Sequence, residues 1–185
     1  MVDDSKYGFV LTPETLKELH RIVIQDLYVC AGNFRTQPVY LARDGVVDHS
    51  QFQPPPPEQV PTLVVEMCKY VTENFGKSPV HLAAFLMWRH NWIHPFLGGN
   101  GRTSRGVSYL VLNVRLGFNL PGVNTIAQQI ETDRDPYYTA LHDSDEASKN
   151  GALDISAMEK LIEQALAAQL LSVHQKATGK TETTT

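Results

Sequence analysis

Leu16, Leu19, Val23 and Leu27 recur three and four residues apart, the spacing that gathers side chains on one face of an α-helix. Thr12 and Pro13 just ahead of them supply an N-cap and a first-turn proline, which predicts a helix over "LTPETLKELHRIVIQDL". The period then changes. In "FRTQPVYLARDGVVDHSQF", β-branched and aromatic residues flank Asp44-Gly45, a pair suited to the positive backbone angles of a tight hairpin. Pro38 cannot donate to a central ladder, so this hairpin, about residues 36–50, is expected at an exposed edge as a flap. The prolines at 54–57 make a stiff extended connector.

Beyond the prolines the helical period returns. "PTLVVEMCKYVTENFG" reads as a helix closing at Gly76. Ser78-Pro79 opens "VHLAAFLMWRHNWI", apolar almost all round, which places it at the centre of the domain until Pro95 stops it. After a glycine turn, "RTSRGVSYLVLNVRLG" forms a second central helix ending at Gly117. Asp135-Pro136 starts "YYTALHDSDEA", and Asp154 caps the long "ISAMEKLIEQALAAQLLSVHQ". The expected class is mostly α, a helical bundle carrying a small β-hairpin flap. Its expected boundaries are a lead at 1–9, one domain at 10–176 and a polar, disordered tail at 177–185.

Composition narrows the function. With 185 residues, 42% of them hydrophobic, the chain supports one domain with a sizeable core. A formal charge of −4 excludes a general basic footprint for nucleic acid, so any anion site must be local. Cys30 and Cys68 lie far apart without a zinc pattern and read as reduced thiols. The start "MVDDSKYG" lacks the basic and apolar regions of a signal peptide, and no apolar run approaches the roughly 18 residues that a membrane span needs. The expectation is a cytoplasmic protein with no membrane partner, export by a secretion system being left open.

The candidate chemistry lies in "IHPFLGGNGRTSRG", residues 93–106. A helix N-terminus exposes unpaired N–H groups and about half a positive charge. Glycines let the backbone approach a phosphate closely, so Gly99, Asn100 and Gly101 can form an anion-binding nest. Arg102 and Arg105 stand one turn apart on the same side and can clamp further phosphate oxygens. His94, at the end of the preceding helix, is close enough to act as a base on a bound group. His90 and His94 are also four apart, but a zinc-binding helix would want Glu where Asn91 stands. His90 reads instead as a core histidine bonded to backbone.

"HPFLGGNGRTSR" resembles the signature of the Fic domain (Fic/Doc, or Fido, family), HxFx[D/E][G/A]NGRxxR, and departs from it at one position. The resemblance extends to "AGNFR" at 31–35, "FQPPPP" at 52–57 and "YYTALHDSDEA", and covers residues 10–175. It implies an enzyme that moves AMP, or another nucleoside monophosphate, from ATP or another NTP to a Ser, Thr or Tyr hydroxyl of a target protein. It implies His94 as the base, Phe96 as a core anchor of the loop, and Gly99, Asn100 and Gly101 on the α-phosphate. Arg102 and Arg105 would hold the β- and γ-phosphates. Pro38, Val39, Tyr40 and Leu41 would form the flap against which the target segment pairs as an added strand.

The departure is Gly98, which stands where the family carries the acidic ligand of Mg²⁺. No protein metal ligand is therefore expected, and Mg²⁺ would be held mainly by the phosphates. Three readings stay open: a nucleotidyl transferase whose metal the phosphates hold, a transferase using a different phosphate-containing donor, and a non-catalytic nucleotide or partner binder. Gly101 argues against the family's kinase-like branch, in which Lys replaces that glycine. Many relatives carry an inhibitory helix, [S/T]xxxE[G/N], whose Glu pairs with the second motif arginine. The two partial matches, Thr62 to Glu66 and Thr178 to Glu182, lack the final Gly or Asn. A small antitoxin-like inhibitor or self-association is the implied alternative.

Overall fold

A computed structural model describes residues 9–24, 31–40, 42–43, 46–47 and 53–178. Helix α1 spans Pro13–Val23, and Thr12 caps it by accepting from the Thr15 N–H at 3.1 Å. Leu16 and His20 of this helix are buried; Leu27, expected on the same face, lies outside the described residues. Pro56 keeps the extended conformation expected of the proline run, and one 3-10 turn, Pro57–Gln59, leads into α2, Val60–Glu73.

Helix α3, Pro79–Ile93, starts where Ser78 Oγ accepts from the His81 N–H. Its buried positions run from Leu82 to Trp88 without a break and continue at His90 and Ile93. A helix covered on all sides must lie at the centre, and α3 packs against α2, α4 and α7. Helix α4, Asn100–Leu116, ends at Gly117, whose φ of 75° lets its N–H reach back to the Asn113 and Val114 carbonyls. Helix α5, Ile126–Thr132, opens with a capping box between Thr125 and Gln128. Helix α6, Asp135–Lys149, carries proline in its first turn, and Asp154 Oδ1 accepts from Ser156 N–H at the start of α7, Ser156–Thr178. Helix α7 thus runs into the stretch expected to be tail; 179–185 lie outside the described residues.

Among the described residues, the regular elements are helices apart from one short strand pair, β1 (Ala42–Arg43) and β2 (Val46–Val47), in which Ala42 faces Val47 and Arg43 faces Val46. A flap hairpin over about 36–50 is not supported: residues 36–40 carry no strand, and Asp44, Gly45 and 48–50 lie outside the described residues. Two local causes act at 36–40. Pro38 has no N–H for a ladder, and the Arg35 side chain already uses the Gln37 carbonyl at 3.2 Å. A single apolar core joins the helices, built on Leu82, Leu86, Ile93, Leu112, Met158 and Ile162. Among the described residues, no helix is long and apolar enough to cross a membrane.

Candidate active site

The motif loop joins the C-terminus of α3 to the N-terminus of α4. Pro95 cannot continue a helix, and His94 leaves it in the left-handed region, at φ 51° and ψ 57°, while its N–H still bonds the His90 carbonyl. Phe96 then turns inward and is wholly buried. It stacks on His20 with ring centroids 3.6 Å apart, and meets Phe34 and His90 at an angle. Asn100 closes the loop with its side chain, accepting from the Phe96 N–H at 3.0 Å and donating to the Phe96 carbonyl at 2.8 Å. Both ends of its buried amide are engaged in that closure, and its backbone N–H lies at the start of α4.

Gly99 caps α4 at φ 75°, and a Cβ there would lie 2.4 Å from Ile24 Cγ2. Only glycine fits both conditions. Its carbonyl accepts from the Thr103 N–H and hydroxyl, the first bonds of α4. The N–H groups of Asn100, Gly101 and Arg102 precede those bonds and stand at the positive end of the helix. Ser104, one turn on, closes onto the Gly101 carbonyl. This end of α4 can receive an anion.

His94 is half-buried. Its Nδ1 lies 3.3 Å from the Asn91 carbonyl, which can only accept, so Nδ1 carries the proton and Nε2 the lone pair. The imidazole is pushed down to about 4, chiefly by burial, against that hydrogen bond and with a smaller push from the Arg35 guanidinium. It is therefore neutral at physiological pH and able to accept a proton. His90 is fully buried and is pushed down to about 3 by burial and by its histidine neighbours. Contrary to expectation, neither of its ring nitrogens has a hydrogen-bond partner among the described residues.

Two buried residues that sequence reasoning left without a role frame the loop. His20 Nδ1 accepts from the Gly32 N–H at 2.8 Å, so Nε2 is the protonated nitrogen and donates to the Gly98 carbonyl at 2.9 Å. Arg35, also buried, donates from Nε to the His94 carbonyl at 2.7 Å. "AGNFR" marked the Arg35 segment, but nothing in its spacing pointed to the end of α3.

Arg102 is exposed on the first turn of α4, and Arg105 is half-buried one turn later. Arg105 does not face open space. Glu131 of α5 pairs with Arg105 through one carboxylate oxygen and with Arg134 through the other. Its carboxyl is held below the usual range, first by the Arg134 hydrogen bond, with burial opposing and the charges of Arg105, Arg134 and Arg102 assisting. Gln169 of α7 holds α5 in place by accepting from the Ile126 N–H, and Gln129 bonds the Ala165 carbonyl. The partner of the second arginine is thus Glu131. Glu66 sits exposed on α2, where its charge acts on Arg89, and Glu182 lies outside the described residues.

Pro38 and Tyr40 are exposed and Val39 is half-buried; Leu41 lies outside the described residues. Asn91 ties three helices together, its Nδ2 lying 2.6 Å from the Met87 carbonyl and 2.8 Å from both Ser104 Oγ and Tyr137 OH. Among the described residues, no three His, Cys, Asp or Glu side chains are placed to hold a metal ion. With glycine at position 98 and Glu131 already paired, the donor set does not fit a metal held by the protein.

The sequence pattern of the Fic/DOC family matches residues 10–112. A protein of Caenorhabditis briggsae named protein adenylyltransferase fic-1 is 30% identical over 141 residues, which are 75% of this chain and 25% of that protein. Protein adenylyltransferase Fic of Drosophila persimilis is 33% identical over 134 residues, 71% of this chain and 23% of that protein. The chain therefore spans about a quarter of the length of the curated relatives it matches. Among solved structures, a Fic domain containing signaling protein from Bacteroides thetaiotaomicron superposes with a TM-score of 0.72 at 22% identity, over 97% of this chain and 68% of that one. A Fic family protein from Desulfovibrio desulfuricans gives 0.68 at 22% identity, over 89% and 48%. At that identity the two structures share the fold.

Proposed function

The chain belongs to the Fic/DOC family, and on that premise we propose that it transfers a nucleoside monophosphate, with ATP as the first candidate donor, to a hydroxyl side chain of a target protein. The observation that carries this is His94, its Nδ1 against the Asn91 carbonyl, one loop ahead of the N-terminal amides of α4. In the step, the target hydroxyl oxygen attacks the α-phosphorus of the triphosphate. The bond to the pyrophosphate oxygen breaks, and the hydroxyl proton passes to His94 Nε2. The N–H groups of Gly99, Asn100 and Gly101 receive the charge developing on the α-phosphate, and Arg102 and Arg105 hold the outer phosphates. Phe96 keeps the loop in register with the core.

The names of the relatives support AMP as the transferred group, since they are called protein adenylyltransferases. The target enters along Pro38, Val39, Tyr40 and Leu41; the bonds of Arg35, three residues before Pro38, to the His94 and Gln37 carbonyls support this reading. A divalent ion enters only as one carried in with the triphosphate. Gly98 favours a second reading, a different phosphate-containing donor, because it stands where the family signature has a carboxylate.

The test is incubation of the pure protein in a lysate with each of ATP, GTP, UTP and CTP labelled at the α-phosphate. A labelled protein band supports transfer and names the donor. Nucleotide binding with no labelled band makes the protein a binder, and neither binding nor label overturns the proposal.

A further inference from the structure

Arg35 is a cation buried to 2% exposure whose acceptors are main-chain carbonyls. Nε donates to His94 O at 2.7 Å, NH1 to Gln37 O at 3.2 Å, and NH2 to Pro55 O and, at 3.3 Å, to Ile93 O. Its own N–H donates to Pro95 O at 2.8 Å. Burying a charge is costly unless it is fully solvated by its surroundings. Here carbonyls do that, two of them at the negative end of α3. An apolar side chain of similar size would fill the space without the cost of burying a charge, so the guanidinium needs a reason beyond packing.

We propose that Arg35 is a positioning residue that fastens the backbone of His94 and the carbonyls of Gln37 and Pro55 to one rigid fork. This rests on the reading of His94 as the base for transfer. His94 holds a left-handed conformation that costs a non-glycine residue about 1–2 kcal/mol, and Arg35 grips the carbonyls on both sides of its Cα. Gln37 directly precedes the exposed Pro38, and Pro55 is buried. A lysine cannot replace the fork, because one ammonium cannot span carbonyls on three chain segments.

The charge has a second effect. Among the described residues, the titratable and charged groups around His94 are His90 on its own helix, Arg35 from the 31–40 segment and, behind them, His20 of α1, on which the charge of Arg102 of α4 acts. Arg35 is the permanent cation that acts on the His94 ring, and it favours the neutral imidazole.

The test compares wild type, Arg35→Gln and Arg35→Lys by NMR titration of the His94 ring, nucleotide Kd and transfer rate. In Arg35→Gln the His94 midpoint rises from about 4; transfer falls about tenfold or more while nucleotide Kd stays within about twofold, because Asn100 and His20 hold the nest independently. In Arg35→Lys the midpoint stays low, the His94 ring resonances shift and transfer still falls. An unmoved midpoint in Arg35→Gln, or nucleotide Kd weakening in step with transfer, overturns the inference. If Arg35→Gln does not fold, unchanged His94 resonances in Arg35→Lys do so. Absence of transfer in wild type sinks the transferase reading alone, since the NMR titration needs no activity.

Discussion

Gly98 and Gly99 stand side by side and are glycine for different reasons. Gly99 needs its left-handed φ and the space that Ile24 would deny a Cβ. Positive φ falls at Gly32, Gly99, Gly117 and Gly151 among the described glycines, so no left-handed backbone opposes a side chain at Gly98. Gly98→Asp is therefore expected to fold and, measured by calorimetry, to bind nucleotide more tightly with Mg²⁺ and more weakly without any divalent ion, where charge repulsion dominates. Equal nucleotide affinity with and without Mg²⁺ would contradict the idea that Gly98 is a missing ligand. Glu131 gives the second residue-scale prediction, because a phosphate reaching Arg105 must displace a carboxylate already bound there. Glu131→Gln should tighten nucleotide binding by about twofold to fivefold, the range of a partly exposed ion pair. Weaker binding would mean that Glu131 orients Arg105 for the ligand rather than occupying it.

At the scale of elements, the site is the junction of α3 and α4, and Phe96 is its wedge. Phe96→Ala should cost about 3–5 kcal/mol in denaturant unfolding and should release the loop that Asn100 closes. A loss below about 1 kcal/mol would mean that the core does not hold the loop. Much of this junction was legible because its causes are local in sequence: the Ser78 cap, the apolar run of α3, the stop at Pro95 and the glycines before Arg102. What was not legible comes from contacts between distant segments. His20 meets Gly98 across 78 residues, Arg35 meets His94 across 59 and Arg105 meets Glu131 across 26. Helix α5 was passed over although Thr125 and Gln128 spell a capping box, because a helix of 7 residues shows too little period to stand out. The flap was over-read for the opposite reason: an Asp-Gly turn signals a hairpin but not how far its strands extend.

Across the whole molecule, three histidines packed around Phe96 and the motif loop are all held neutral: His20 below its usual value, His90 down to about 3 and His94 to about 4, each chiefly by burial. Between those values and the unfolded value of about 6.5, the unfolded chain binds more protons, so folding weakens as pH falls. Their contribution is full above about 6.5; His90 and His94 can each remove up to about 1.4 kcal/mol per pH unit below it, and His20 acts in the same direction. Asp145, whose buried carboxyl titrates higher than usual, works in the opposite sense, but it is one group against three. Thermal melts should therefore hold steady above neutrality and drop steeply from pH 6 to 4; a flat profile would show that the histidines are not buried as described. The fold, the nest and the neutral base together make one claim, that His94 removes the proton of a target hydroxyl while α4 holds the phosphates. The most direct measurement is transfer of α-labelled nucleotide to protein by wild type and His94→Ala, alongside nucleotide Kd for both. The account predicts a loss of about 100-fold or more in transfer with Kd nearly unchanged. Equal transfer by the two proteins would contradict it.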